Sequence, residues 1–499
     1  MHLCAFAVSL VLPRSQFARV LVSGLLGAST AFSVMSSKPS NQPQEAFSIC
    51  LLFHGGDNML GRAVQLSFPT QAPGEENISD SCRASHYVHM SLNHPSGHKN
   101  DPPLEEIRRL NQNGQYLWGD YISPSFTITP PPDIRILNLE TAVTTSIHNP
   151  DVPLWKGIRY HLHINNLEPA MKTFQQQTHG AAVPSPVVVS YANNHCMDYG
   201  RQAFDQETLP AFQSMEHIFS AVGCGRNLQE TQKTLKIPIR KEITVSDPSA
   251  CQQIGTIEIA AFSSQCSGTP KSWGAADCRS GVLALPGIYD ENSVKEAMQL
   301  MKPALDKMGS DSLLRVVSIH WGPNWAMKNE DRQQLDARRT LAHRLIDECG
   351  VDLIYGHSSH HARGMEVYNK KLVLYGTGDA INDYEGFENP GEDRYNRLGG
   401  IFIVNYLGNN FQQLSIVPTF MNRLRLERWT TESKIWHPNS RRLEADPDKS
   451  KDFCSFLNKL SRIEAGSEEA ALLMENVEAD PKIPGGPVLK SNRYNPVEV

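Results

Sequence analysis

A succession of short apolar runs, each stopping at a polar residue, constrains this chain more than any other feature. Phe47 to His54 runs into Gly55-Gly56-Asp57, Ile134 to Leu139 into Glu140, and Val187 to Ala192 into Asn193-Asn194-His195. Arg315 to Ile319 runs into His320. Val351 to Tyr355 runs into Gly356-His357, with His360 shortly after, and Lys371 to Tyr375 runs into Gly376-Thr377-Gly378-Asp379. Runs of about 4–8 residues rich in Val, Ile and Leu predict strands buried on both faces. Between them, Gln334 to Cys349 places Leu335, Leu341, Ala342, Leu345 and Ile346 on one helical face, and Asp205 to Phe219 is a weaker pattern of the same kind. Ile257 to Phe262 and Phe402 to Leu407 add further strands. Strands alternating with helices make an α/β protein, and the number of strands exceeds one compact sheet, so two packed sheets with helices outside are expected.

Composition narrows what such layers can do. The chain has 499 residues and a formal net charge of −6, with 40% apolar and 20% charged residues. It is long enough to bury its own core without disulfide or metal staples. No basic stripe interleaved with aromatics is present, so nucleic acid is not an expected partner. The ten cysteines are scattered without a CxxC pair, which excludes a zinc ribbon or a thioredoxin-type motif. No P-loop and no G-x-S-x-G elbow occurs. Gly223-Cys-Gly225 is too short a glycine signal for a dinucleotide site.

Both ends differ from the middle. Residues 1–45 read as a leader or disordered segment. The first 35 of them, free of Asp and Glu and bearing Arg and Ser, suit a cleaved signal peptide, an organelle presequence, or an extension ahead of a start at Met35. Compartment therefore stays open between cytoplasmic and secreted or organellar. A single domain is expected over 46–430. A C-terminal extension over 431–499 follows, with one helix around Phe453 to Leu460 and then a disordered tail rich in Glu, Pro, Gly and Asn.

Ligands in α/β sheets gather at the carboxyl ends of strands. A lone histidine there is more often structural than functional. Five polar strand ends carrying Asp, Glu, Asn-His, His and His-x-x-His are harder to dismiss. Carboxylates, imidazoles and an amide oxygen form the ligand set for Mn, Fe or Zn in a hydrolytic site.

The same residues carry a family resemblance. Asp57-Asn-Met-Leu-Gly-Arg62, Asn138-Leu-Glu140, Ala192-Asn-Asn-His195-Cys-Met-Asp198-Tyr-Gly200, His320-Trp-Gly322 and Gly356-His-Ser-Ser-His360 occur in order. Together they resemble the CapA capsule-synthesis family, which includes accessory proteins of poly-γ-glutamate synthesis. The likeness spans about Phe47 to Leu426. The family fold is similar to the calcineurin-like metallophosphoesterases, a four-layer α/β/β/α sandwich around one or two divalent metals.

That resemblance implies roles. Asp57 matches the first carboxylate and Glu140 the bridging one. Asn194 supplies an amide oxygen, His195 a catalytic imidazole beside Asp57, and His320, His357 and His360 the remaining metal ligands. Two departures stand out: Met59 replaces an expected histidine ligand, whose place His54, His163 or water would have to fill, and a Glu stands for the bridging Asp. Arg62, Lys156, Tyr160 and His163 are candidate substrate contacts. Arg62 suits an anionic group through its paired donors, and a structural ion pair is as common an outcome for such an arginine. Asp379 and Asp383 lie in a Gly-rich stretch, where turn chemistry is the commoner role. Two function classes follow. One is a metal-dependent hydrolase acting on a phosphoester or a glutamate-polymer amide. The other is a non-catalytic accessory protein that binds an acidic polymer or a synthase partner.

Overall fold

The computed structural model describes residues 47–77, 83–93, 102–242, 251–324, 330–385, 398–430, 432–437, 442–445 and 448–492. The expected leader lies outside the described residues. The site-bearing strands are β1 (Ser48–Asn58), β2 (Ile134–Leu139), β3 (Val187–Ser190), β4 (Leu314–His320), β5 (Leu353–His357) and β6 (Asp379–Ile381). Four helices matter for the layers: α1 (Ile164–Gln176), α2 (Glu291–Leu305), α3 (Arg332–Cys349) and α4 (Lys449–Ala465).

Among the described residues, the strands form one ten-stranded and one seven-stranded sheet, with smaller two-stranded pairs beside them. In the first sheet, β1, β2, β3 and Ser220–Val222 run parallel in that order, and Leu398–Leu407 and Asn410–Asn422 continue antiparallel on the other side of β1. In the second, Cys251–Ser264, β4, β5 and Lys371–Leu374 are parallel neighbours. Parallel strands need both faces covered, and here each inner face covers the other. Phe53 of β1 meets Tyr355 of β5 with ring centroids 4.6 Å apart, and Ser318 Oγ donates to Ser190 Oγ at 2.9 Å.

The outer faces take helices. Phe262, Val317, Ile319, Ile354 and Val373 pack with buried residues of α2 and α3. On the first sheet, His54 sits edge-on to Trp118 and to Phe174 of α1. The order is helix, sheet, sheet, helix, as expected. The helix anticipated from Gln334 begins at Arg332, because the Asp331 side chain accepts from the Gln333 N–H. Gly350 ends it in the left-handed region, at φ +65°.

The C-terminal part differs from expectation. Instead of a disordered tail beyond a boundary at 430, α4 is followed by Met474–Val477 and Val488–Ser491, which add two antiparallel strands to the first sheet through Asn410–Asn422. These strands are four residues each and bury Met474, Val488 and Leu489. So few apolar residues leave no readable periodicity, and their stability comes from tertiary pairing. The end of α4 reaches the second sheet's loops: Arg363 Nε donates to Glu464 Oε1 at 2.6 Å, while Glu330 pairs with both Arg363 and Arg338. Residues 493–499 lie outside the described part. Among the described residues no helix is long and apolar enough to cross a membrane.

Candidate metal centre

Each candidate ligand stands at or just past the carboxyl end of a strand, in the seam between the sheets. β1 delivers Asp57, beside Asn138 of β2 in register. Glu140 follows β2 directly. Past β3, Asn193 pins the turn: its Nδ2 donates to Leu139 O at 2.8 Å, and its Oδ1 accepts from the His195 N–H at 3.0 Å. That fixes Asn194 and His195 over the seam. β4 and β5 place His320 opposite His357. Ser358 then turns the chain at φ +96°, a conformation that costs a non-glycine residue about 1–3 kcal/mol. Its N–H donates to Asp57 Oδ2 at 3.1 Å and its Oγ to Gly322 O at 3.0 Å, which offsets that cost and brings His360 back to the site.

The side chains converge closely. His320 Nδ1 lies 3.6 Å and His357 Nδ1 3.8 Å from Asp57 Oδ1. On the other side of the carboxylate, His360 Nδ1 lies 4.0 Å from Asp57 Oδ2 and 3.0 Å from Asp379 Oδ1. His320 Nε2 is 2.9 Å from Asn194 Oδ1 and 3.6 Å from Glu140 Oε1. His195 Nε2 is 3.8 Å from the same Glu140 oxygen. Two groups, Asp57-His320-His357 and Asp57-His360-Asp379, each hold their ligand atoms within 4.8 Å of one another, and all are buried. Among the described residues, the buried Glu140 Oε2 has no hydrogen-bond partner.

Electrostatics bear on whether a cation fits. Asp383 is neutralised by Arg62, and Asp198 by Lys156. Among the described residues, Asp57, Glu140 and Asp379 have no Lys or Arg partner of that kind. Burial, then the Asp379 charge, raises Asp57 to about 7; burial, then Asp57 and Asp379, holds Glu140 well above its ordinary range; burial also raises Asp379. Burial lowers His357 to about 3, and burial with the neighbouring His357 lowers His320 well below its usual value, so both imidazoles are neutral, as ligands must be. Unbalanced carboxylates, neutral imidazoles and an orphaned carboxylate oxygen fit a divalent cation.

Beside this centre lies an imidazole held from behind. His195 Nδ1 contacts Asp198 Oδ2, whose other oxygen accepts from Lys156 Nζ; Lys156 also donates to Asn194 O. Burial, then Lys156, keeps His195 neutral, well below its ordinary pKa. Tyr160 stacks on the ring, with centroids 3.8 Å apart.

The four candidate substrate contacts come out differently. Arg62 spends its fork on Asp383, with Nε 3.1 Å from Oδ2, and its guanidinium lies 3.9 Å from the Tyr87 ring centroid. A buried guanidinium needs such a partner, so the structural ion pair is what the chain adopts. Lys156 is engaged by Asp198, and Tyr160 is a stacking surface. His163 caps α1 by accepting from the Asn165 N–H at 3.2 Å, and the structure does not bring it into the centre. His54, a candidate replacement for the ligand lost at Met59, is enclosed by Trp118, Tyr121 and Phe174, and burial lowers it to about 4. Sequence reasoning gave Asp198 no role and favoured turn chemistry for Asp379. Asp198 had a signal in its three-residue spacing from His195. For Asp379 the signal was the glycine pair before it.

Four layers with carboxylates and imidazoles at the strand ends are the architecture the metallophosphoesterase resemblance implied. The chain belongs to the family described as bacterial capsule synthesis protein PGA_cap, whose family model matches residues 51–384. A probable polyglutamine synthesis accessory protein of Mycobacterium tuberculosis is 28% identical over 393 residues, covering 77% of this chain and 88% of that protein. The capsule biosynthesis protein CapA of Bacillus anthracis is 25% identical over 271 residues, 52% of this chain and 57% of that one. A phosphatase structure from Mycoplasma pneumoniae aligns over 81% of this chain and 97% of its own, at 12% identity and a TM-score of 0.30, too low a likeness to support an inference.

Proposed function

We propose that this CapA-family chain is a metal-dependent hydrolase acting on an anionic substrate, either a phosphoester or an amide of a glutamate polymer. What carries the reading is the convergence of His195, Asp57 and Glu140 with the ligand groups in one buried seam. Asp57, Glu140, Asn194, His320, His357 and His360 would hold one or two Mn, Fe or Zn ions, which supply Lewis acidity and a water of lowered pKa when bound.

The chain's own residues supply the rest. His195 Nδ1 contacts Asp198 Oδ2 and lies 3.1 Å from Lys156 Nζ; in the tautomer that donates from Nδ1 to Asp198, Nε2 is an acceptor on the side of Glu140. From there it can take a proton from an attacking oxygen and return it to a departing one. Lys156 holds Asp198 and the Asn194 carbonyl, so this imidazole is oriented before substrate arrives. Because Arg62 and Lys156 serve internal carboxylates, selectivity for anions would rest on the cation.

That same engagement of Arg62 and Lys156, with Met59 at an expected ligand position, favours a second reading. In it the cleft binds an acidic polymer or a synthase partner without turnover, in keeping with the words "accessory protein" in the name of the Mycobacterium relative. Elemental analysis of the purified chain, with turnover of bis(4-nitrophenyl) phosphate and of γ-glutamyl oligomers, separates the two. Under the hydrolase reading His195→Ala keeps its metal and loses about 10²–10⁴-fold in rate, the usual worth of a positioned acid–base group. A metal-loaded wild-type chain that turns over neither substrate supports the accessory reading.

A further inference from the structure

The two ligand groups are not alike. We propose that the centre is a pair of chemically unequal subsites bridged by Asp57, the second of which is completed by Asp379 in place of the ligand lost at Met59. This rests on the metal-binding reading above and specifies how the chain achieves it.

The placement begins with glycines. A Cβ on Gly56 would lie 2.8 Å from Gly378 O, and one on Gly55 2.7 Å from Ala380 Cβ. Without those atoms, β6 closes on the end of β1. Gly378 O accepts from the N–H groups of Gly56 and Asp57, at 2.6 and 3.2 Å, and Asp379 falls in parallel register with Asp57. Met59 is buried two residues further on, and its sulfur accepts from the Gly61 N–H at 3.1 Å, within its own turn. The carboxylate beside His360 comes instead from β6: Asp379 Oδ1 lies 3.0 Å from His360 Nδ1, and its Oδ2 accepts from Asn382 Nδ2 at 3.1 Å.

Asp57, and not Glu140 as the resemblance implied, is the carboxylate common to both groups. Its Oδ1 faces His320 and His357, and its Oδ2 faces His360, the partner of Asp379. One carboxylate oxygen therefore points to each group, as a bridging ligand requires. The first subsite offers two imidazoles and a carboxylate, with the Asn194 oxygen beside His320. The second offers two carboxylates and one imidazole. Oxygen-rich sets suit Mn²⁺ or Mg²⁺, and imidazole-rich sets favour Zn²⁺ or Fe²⁺. The second subsite should be the weaker one and the one selective for hard cations. The competing role for Asp379 is an outer partner that only orients His360 through their 3.0 Å contact.

The full-length chain, stripped by chelator, is titrated with Mn²⁺ alone, counting equivalents by elemental analysis and following the electron paramagnetic resonance signal. Wild type should take two equivalents and show an exchange-coupled signal. Asp379→Asn should take one and show an isolated ion. His360→Gln should lose the same equivalent, and if circular dichroism shows Asp379→Asn unfolded, Asp379→Ser carries the same expectation in its place. A folded Asp379→Asn chain that still takes two equivalents, even with the ~10–100-fold weakening of a lost orienting partner, overturns the ligand assignment. A single equivalent in wild type overturns the two-subsite centre and leaves metal binding intact. No uptake by folded wild type removes the metal-binding reading and this proposal together.

Discussion

Arg62 shows how a single side chain can look functional and be structural. It occupies the left-handed region at φ +49°, and the Ala63 N–H joins its guanidinium in donating to Asp383. Arg62→Ala would leave Asp383 buried and unpaired, so stability should fall by about 3–5 kcal/mol in urea unfolding. Arg62→Lys keeps the charge and loses the fork, and should also destabilise. Unchanged stability of both variants would return Arg62 to the candidate substrate contacts. His357→Ala, in contrast, should remain folded and come out of purification depleted of metal, since a chain of this size does not need the ion for its core. Full metal occupancy in that variant would remove His357 from the ligand set. The titrating groups make a further prediction. Burial raises Asp57 and Asp198 to about 7 and holds Glu140 well above its ordinary range, while it lowers His320, His357 and His195. Below about pH 6.5 lowered imidazoles and raised carboxyls pull stability in opposite directions. Above it, unfolded carboxyls have lost their protons while the native ones still hold theirs, so stability falls as pH rises through 7. Metal-free chain should therefore melt at a lower temperature at about pH 8 than at about pH 6.5, and saturating Mn²⁺ should remove the difference by ligand linkage. A flat profile without metal would show these carboxyls to be ionised throughout.

At the scale of elements, the ends of β1, β2, β4 and β5 were legible because each is an apolar run stopped by one polar residue. Periodicity locates such a strand, and the stopping residue then falls at its carboxyl end. β6 was not legible, since three residues carry no period and its place is set by close backbone approach to β1. Asp379 consequently read as turn chemistry. The partner of Arg62 was hidden for a related reason: Asp383 lies 321 positions away, and only the fold brings the two together. The glycine contacts give the element-level prediction. Gly56→Ala should force β6 from β1, with a cost of about 1–3 kcal/mol for overpacking, and should weaken metal uptake more than a substitution on the outer face of β1. Unaltered Mn²⁺ binding and stability in Gly56→Ala would show that the close approach is not what positions Asp379.

For the molecule as a whole, the four-layer order was legible from the alternation of strands and helices, while the membership of its C-terminal part was not. Low apolar content read as disorder, yet Met474–Val477 and Val488–Ser491 extend the first sheet and α4 packs beside the second. The contact between Arg363 and Glu464 has a consequence for the chain's history on the ribosome. Arg363 lies three residues after His360, and the carboxylate that holds it belongs to α4, 101 residues further along the chain. Synthesis runs at about 5–20 residues per second, with domains generally folding as units once emerged. Until residue 464 is made, the turn that presents these imidazoles is held by Glu330 alone. Under the metal-binding reading, a product terminated before Glu464 would carry the histidines on a turn with half its ion-pair support, and should load metal more slowly.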